Sequence, residues 1–216
     1  MTIDRHRAPL YWLTLAVLAL LLSTAGAQAQ SAQENAADAA RLVRALEVRA
    51  GMTIGEIGAG GGELTIALAR EVGESGRVYS NELNPKWLQD IGTHAERAGL
   101  HNVTLVEGRA AESNLPEQCC DAIFMRNVYH HFADPASMDA SLFRSLKPGG
   151  RLAVIDFAPD GEESPDAPGR ARNPHHGVGA SSLARELKEA GFEVLATEPV
   201  HHAVFMVVAR RPGGDR

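Results

Sequence analysis

Short apolar runs alternate with helical stretches along most of this chain, and that rhythm restricts the fold more than any other feature. The runs are Met52–Ile57, Val78–Leu83, Val103–Glu107, Asp121–Arg126, Leu152–Phe157, Phe192–Thr197 and Ala203–Ala209. Between them lie helical patterns. Glu63–Val72 places Leu64, Ala67 and Leu68 on one face, and Gln33–Val48 does the same ahead of the first run with Leu42, Val43 and Leu46. Asn84-Pro85 and Asp134-Pro135 are caps followed by a first-turn proline, so helices open there and run to about Ala98 and Leu146. Lys147-Pro148-Gly149-Gly150 reads as a turn, and Ser181 or Ser182 as the cap of a last helix that stops at Gly191. Repeated strand–helix–strand units require parallel strands with helices on both faces. Only Glu198–His202 separates the last two runs, too little for a parallel crossover, so they are antiparallel. The expected fold is α/β: a three-layer α/β/α sandwich around a mainly parallel seven-stranded sheet with an antiparallel last strand.

One segment breaks the rhythm. Residues 158–180 are rich in Pro, Gly, Asp, Glu and Arg and follow a strand, so they sit at the carboxyl edge of the sheet, where ligands bind in such folds. A loop of this length in a compact domain suggests a lid.

The first residues read differently. Arg5 and Arg7 precede an apolar run from Leu10 to Leu22, and Ala27-Gln28-Ala29 fits a small-residue cleavage site. The run is short for a membrane span, which takes about 20 residues. The expected organisation is a signal peptide over 1–29, a helix within 30–50, and one domain over 51–216. Export to the periplasm follows, with an uncleaved inner-membrane anchor as the alternative, and membrane contact is confined to that segment. The net charge of −6 without clustered Lys or Arg argues against a nucleic-acid partner and for a small-molecule substrate. The only two cysteines, Cys119 and Cys120, are adjacent. They read as small hydrophobes leading into a buried strand, a vicinal disulfide being the alternative.

The glycine run Gly58-Ala59-Gly60-Gly61-Gly62 follows the first strand and opens the first helix after it. Its backbone can approach a ligand closely. A dinucleotide fingerprint counted from Gly58 needs a glycine where Glu63 stands, and the carboxylates of Glu56 and Glu63 would repel a pyrophosphate. They suit a ligand that is cationic near the loop. Glu82, at the end of the second strand, can accept two ribose hydroxyls. A ribose together with a positive charge describes S-adenosylmethionine.

The segments "GMTIGEIGAGGGELTIALA", "GRVYSNELNP", "DAIFMRNVYHHFADP" and "LFRSLKPGGRLAVIDF" resemble the successive motifs of Rossmann-like S-adenosylmethionine-dependent methyltransferases, over roughly Leu42 to Ala209. More narrowly, the chain is similar to a bacterial group of predicted methyltransferases that often carry signal peptides. The resemblance implies that Glu56 faces the amino end of the cofactor. It implies that Gly58, Ala59, Gly60 and Gly62 carry its methionine part and ribose, and that Glu82 and Leu83 hold the ribose side. Arg126 and Asn127 are expected to line the cofactor side of the site. Arg109 stands where the family usually has Asp against the adenine amine. Arg has no acceptor, so adenine recognition is expected to differ, with the Ala110 amide or Glu112 as the remaining contacts.

Nine histidines include the pairs His130-His131, His175-His176 and His201-His202. Neighbours on a strand point oppositely, so each pair offers at most one metal ligand, and no metal site is assigned. As general bases the candidates are His131, Tyr129 and His176, with Asp156 orienting a substrate or a histidine. Trp87 is expected to pack its helix onto the sheet, and Trp12 belongs to the signal. The expected function is methyl transfer to a small acceptor. The alternative is an exported, non-catalytic nucleoside- or metal-binding protein on the same scaffold. Acceptor and oligomeric state are open.

Overall fold

A computed structural model describes residues 30–173 and 177–213. The expected signal peptide, together with Trp12, His175 and His176, lies outside the described residues. The chain divides into two units, Met1–Asp38 and Ala39–Arg216, and the second holds the sheet.

A helix α1 covers 30–45. It ends earlier than its apolar spacing suggests, because Glu47 turns to φ 53°. The alternation follows as β1 (Thr53–Ile57), α2 (Glu63–Val72), β2 (Arg77–Glu82), α3 (Pro85–Arg97), β3 (Val103–Glu107) and β4 (Cys120–Arg126). After a single 3-10 turn at Tyr129–His131 come α4 (Pro135–Ser145), β5 (Leu146–Phe157), α5 (Ala167–Arg172), α6 (Ala180–Glu189), β6 (Glu193–His201) and β7 (Val204–Arg210). The seven strands form one sheet in the order β3-β2-β1-β4-β5-β7-β6. The first five are parallel, and β7 runs antiparallel to both β5 and β6. The fold is the expected Rossmann-like sandwich.

Alternation along β4 feeds two cores. Ile123 and Met125 pack with Met138 and Leu142 of α4 and Leu183 and Leu187 of α6. Ala122 and Phe124 face the other way, onto Leu42 of α1 and Leu64 and Leu68 of α2. A strand buried on both faces has to be apolar at nearly every position, and this one is. The caps behave as their residue types dictate. Asn84 accepts from the Lys86 amide at 3.0 Å and Asp134 from the Ser137 amide at 3.0 Å, each followed by proline.

Four expectations are corrected. Lys147–Gly150 is not a free turn but the start of β5. The register jumps there between Cys120 and Ala122, while Gly149 and Gly150 exchange backbone hydrogen bonds with Arg211 at 2.9 Å. The last helix is capped by Gly179, because Ser182 donates to Glu163 at 3.0 Å instead. Cys119 and Cys120 are joined by a disulfide, with Cys120 buried. In the long segment, expected to be a lid or disordered, the described residues are held down. Its helix α5 buries Arg170, which donates to Glu186 at 2.9 and 2.8 Å. None of the described residues has a helix long and apolar enough to cross a membrane.

Candidate active site

Strand order reverses between β1 and β4, and a cavity of about 560 Å3 opens at their carboxyl ends. Such a crevice is where this architecture binds ligands. Of the expected residues, Glu56, Gly58, Ala59, Gly60, Glu82, Leu83, Arg109, Ala110, Arg126, Asn127 and His131 all line it.

The loop after β1 works by backbone shape. Gly58, Gly60 and Gly62 have φ of 67°, 55° and 81°, values that side chains disfavour. A Cβ on Gly58 would sit 2.5 Å from Val128, whereas Gly60 faces open space. Gly62 stands back from the cavity. It ends the loop beside Ile91, so its role is the turn and not contact with a ligand. The far side of the loop is tied to β2. Glu82, only 6% exposed, accepts the amide of Gly60 at 2.9 Å with one oxygen and that of Asn84 at 2.9 Å with the other. Each oxygen keeps a second lone pair, enough for two hydroxyls.

Glu56 lies deeper. It accepts from the Thr65 hydroxyl, which also lies 2.8 Å from the Ser80 hydroxyl. Burial pushes its carboxyl up to about 8, against the lowering effects of Thr65 and of the nearby Arg126 guanidinium. Removed from water, the neutral acid is favoured until a positive group arrives.

Beyond β4, Asn127 takes φ 57°, and its amide donates to the Ile155 carbonyl at 2.8 Å. This bend leads into the 3-10 turn and separates three consecutive side chains. Tyr129 does not reach the cavity and is corrected as a base. It is fully buried, its hydroxyl 2.8 Å from Asp139 and 3.1 Å from Glu186, and both burial and those carboxylates raise its pKa. His130 is buried, its Nδ1 2.7 Å from Asp156, whose carboxylate also accepts the His130 and Phe157 amides. Asp156 therefore orients a histidine, as one of its two expected roles had it. His131 alone of the three lines the cavity, its ring 3.9 Å from that of His130.

Other expectations shift. Glu112 is turned out of the cavity toward Arg144, at 3.6 Å. No described residue of 158–180 lines the cavity, so in this structure that segment is not its lid. His201 and His202 sit at the β6–β7 turn, away from it. Among the described residues no three His, Cys, Asp or Glu side chains gather as a metal site would need. Trp87 is not buried under α3. It is 49% exposed and lines the cavity, as do Phe132 and Met138, none of them anticipated there. The signal for Trp87 was its place in the first turn of a helix that begins just past Glu82.

The residues fit S-adenosylmethionine. An open glycine cradle, a two-oxygen acceptor for ribose and a buried acid for an ammonium line one cavity of ligand size. The site and the sheet define a nucleoside-binding α/β enzyme class. Residues 49–191 match the methyltransferase-domain family, and the chain belongs to it. A ubiquinone/menaquinone biosynthesis C-methyltransferase of Marinomonas sp. is 34% identical over 113 residues, 51% of this chain and 45% of that protein. The chain thus matches about half the length of such curated relatives. A SAM-dependent methyltransferase of Aquifex aeolicus superposes with a TM-score of 0.70 at 25% identity, covering 81% of this chain and 89% of that one. Haemonchus contortus phosphoethanolamine N-methyltransferase 2, solved with S-adenosyl-L-methionine, shares the fold with a TM-score of 0.68 at 17% identity, over 83% and 52% of the two chains.

Proposed function

We propose that this protein transfers a methyl group from S-adenosylmethionine to a small acceptor with an apolar body. The observation that carries the reading is the Glu82 carboxylate, pinned by the Gly60 amide and still holding acceptor capacity toward the cavity. When bound, the cofactor supplies a methyl group on a sulfonium. The chain's own work is alignment and exclusion of water. Glu82 holds the ribose, the glycine loop lies along the methionine part, and Glu56 and Glu63 favour the cationic end. Val128, Phe132 and Met138 make the acceptor wall apolar. His131 takes the proton that an acceptor hydroxyl or carbon loses. The curated relatives, C-methyltransferases of ubiquinone and menaquinone biosynthesis, are in keeping with an apolar acceptor.

We also read the protein as exported. The charge and apolar pattern of 1–29 supports this, and the Cys119–Cys120 disulfide is of a kind that persists in oxidising compartments. A phosphatase fused after Gln30 should be active only outside the cytoplasm.

Calorimetric titration with S-adenosylmethionine tests the first part. Micromolar binding that is lost in Glu82→Ala is expected, followed by S-adenosylhomocysteine release with a panel of phenols and quinols. Absence of binding would remove the reading. Arg109 favours a second reading, a nucleoside-binding protein without catalysis. Tight binding with no turnover on any acceptor would support that one.

A further inference from the structure

The end of the cavity formed by Leu83, Trp87, Arg109 and Ala110 has a chemistry of its own. Trp87, Ile91 and Ala95 follow one another at four-residue spacing, on one face of α3. Ile91 and Ala95 are buried, but β2 has already ended at Glu82. Trp87, in the first turn, reaches the cavity half-exposed beside Leu83, which is 59% exposed. A large aromatic surface left open next to a ribose acceptor is a platform for a flat base.

The edge of that base meets donors. Arg109 carries N–H groups and no acceptor. Three carbonyls of the adjoining loop are already engaged. The Glu107 carbonyl accepts from the Asn114 side chain at 2.8 Å, that of Glu112 from the Arg109 backbone amide at 3.1 Å, and that of Ser113 from the Asn81 side chain at 2.5 Å. The Glu112 carboxylate points to Arg144, outside the cavity.

We propose that this site grips its nucleoside base by the face of Trp87 and gives the 6-amino group of adenine no acceptor from Arg109 or Glu112, so that a 6-oxopurine nucleoside is accepted equally or better. Two donors cannot pair, so Arg109 has nothing to offer an exocyclic amine. It does match the O6 and N7 acceptors of a 6-oxopurine, the bidentate geometry arginine uses on guanine. Base specificity is therefore set by stacking area and by one arginine. This inference rests on the nucleoside reading above and extends it.

The test uses the full chain carrying Trp12→Phe, which leaves Trp87 as its one tryptophan. It is titrated with S-adenosylhomocysteine and with S-inosylhomocysteine, by calorimetry and by tryptophan fluorescence. Both compounds should quench the fluorescence, and the 6-oxo compound should bind within about three-fold of the other or more tightly. Calorimetry on Trp87→Ala should show both weakened by about ten- to a hundred-fold, with Trp87→Phe recovering most of the loss. Arg109→Asp supplies an acceptor and should move the preference toward adenine by at least about ten-fold. A parent chain that rejects the 6-oxo compound by about a hundred-fold would overturn the inference while leaving the methyltransferase reading intact. So would Trp87→Ala binding both compounds at full strength. Failure of both compounds to bind would overturn the reading of the site as a nucleoside site, and this inference with it.

Discussion

The amide of Gly60 donates to Glu82 at 2.9 Å, so one carboxylate fixes the glycine loop and also faces the cavity. Glu82→Ala should then lose more than two hydroxyl contacts, because the loop loses its tether as well. Calorimetry should show S-adenosylmethionine binding weakened by at least about a hundred-fold, given 1.5–3 kcal/mol for each hydrogen bond to a charged group. Glu82→Gln keeps one acceptor oxygen and should fall between.

Two glycines of the loop should fail in different ways. Gly58→Ala places a methyl 2.5 Å from Val128 at φ 67°, and the fold itself should suffer, by roughly 1–3 kcal/mol in chemical denaturation. Gly60→Ala meets no neighbouring atom. It should cost about 1 kcal/mol of stability for its backbone angle and lose ligand affinity, because the methyl faces open space beside Glu82.

Proton uptake should be readable in two experiments. Burial raises the Glu56 carboxyl from 4.5 to about 8 and the Asp139 carboxyl from 3.8 to about 7. Both stay protonated in the folded chain where the unfolded chain has already ionised, so the folded state binds more protons. Stability is then greatest below about pH 4 as far as these groups decide it, and declines as pH rises to about 8. Denaturation at pH 5 and pH 8 should show that decline, flattened in Glu56→Gln with Asp139→Asn. Binding of an ammonium group against Glu56 should release about one proton per ligand near pH 7. Titration in buffers of different ionisation enthalpy should detect it, and Glu56→Gln should abolish it.

His131 and Tyr129 should separate cleanly. His131→Ala should lower turnover by about 10²–10⁴-fold with nucleoside affinity unchanged. Tyr129→Phe should leave turnover nearly intact. It should cost about 1–3 kcal/mol of stability, since the buried hydroxyl that bridges Asp139 and Glu186 is removed.

Arg170 is the one cation facing Glu163 and Glu186 across the α5–α6 contact at hydrogen-bonding or ion-pair range among the described residues, apart from the exposed Arg185. Its removal leaves buried negative charge. Arg170→Ala should lower stability by about 3–5 kcal/mol and expose residues 158–173 to proteolysis.

The sheet and the cofactor side of the cavity were legible because both are local. Strand, glycine turn and helix follow one another within a short stretch, and Glu82 sits at a countable distance from Gly62. What was not legible depends on partners far apart in sequence. Tyr129, His130 and His131 are consecutive, and only the Asn127 bend and the distant Asp139, Asp156 and Glu186 decide which ring meets the cavity. Trp87 shows periodicity pointing the wrong way. It has the spacing of a core residue, but it stands half-exposed in the lining of the cavity. Lys147–Gly150 has turn composition and becomes strand because Arg211 supplies its hydrogen bonds.

The reversal of strand order between β1 and β4 also partitions inheritance. Most of what is proposed to grip the nucleoside hangs from β1, β2, the first turn of α3 and the turn that follows β3, while the histidine and the apolar wall hang from β4 and the start of α4. Away from the Gly58–Val128 contact, substitutions on one side need not disturb the other. A lineage built on this plan can exchange one acceptor for another, or adjust its taste in bases, as two separate trades.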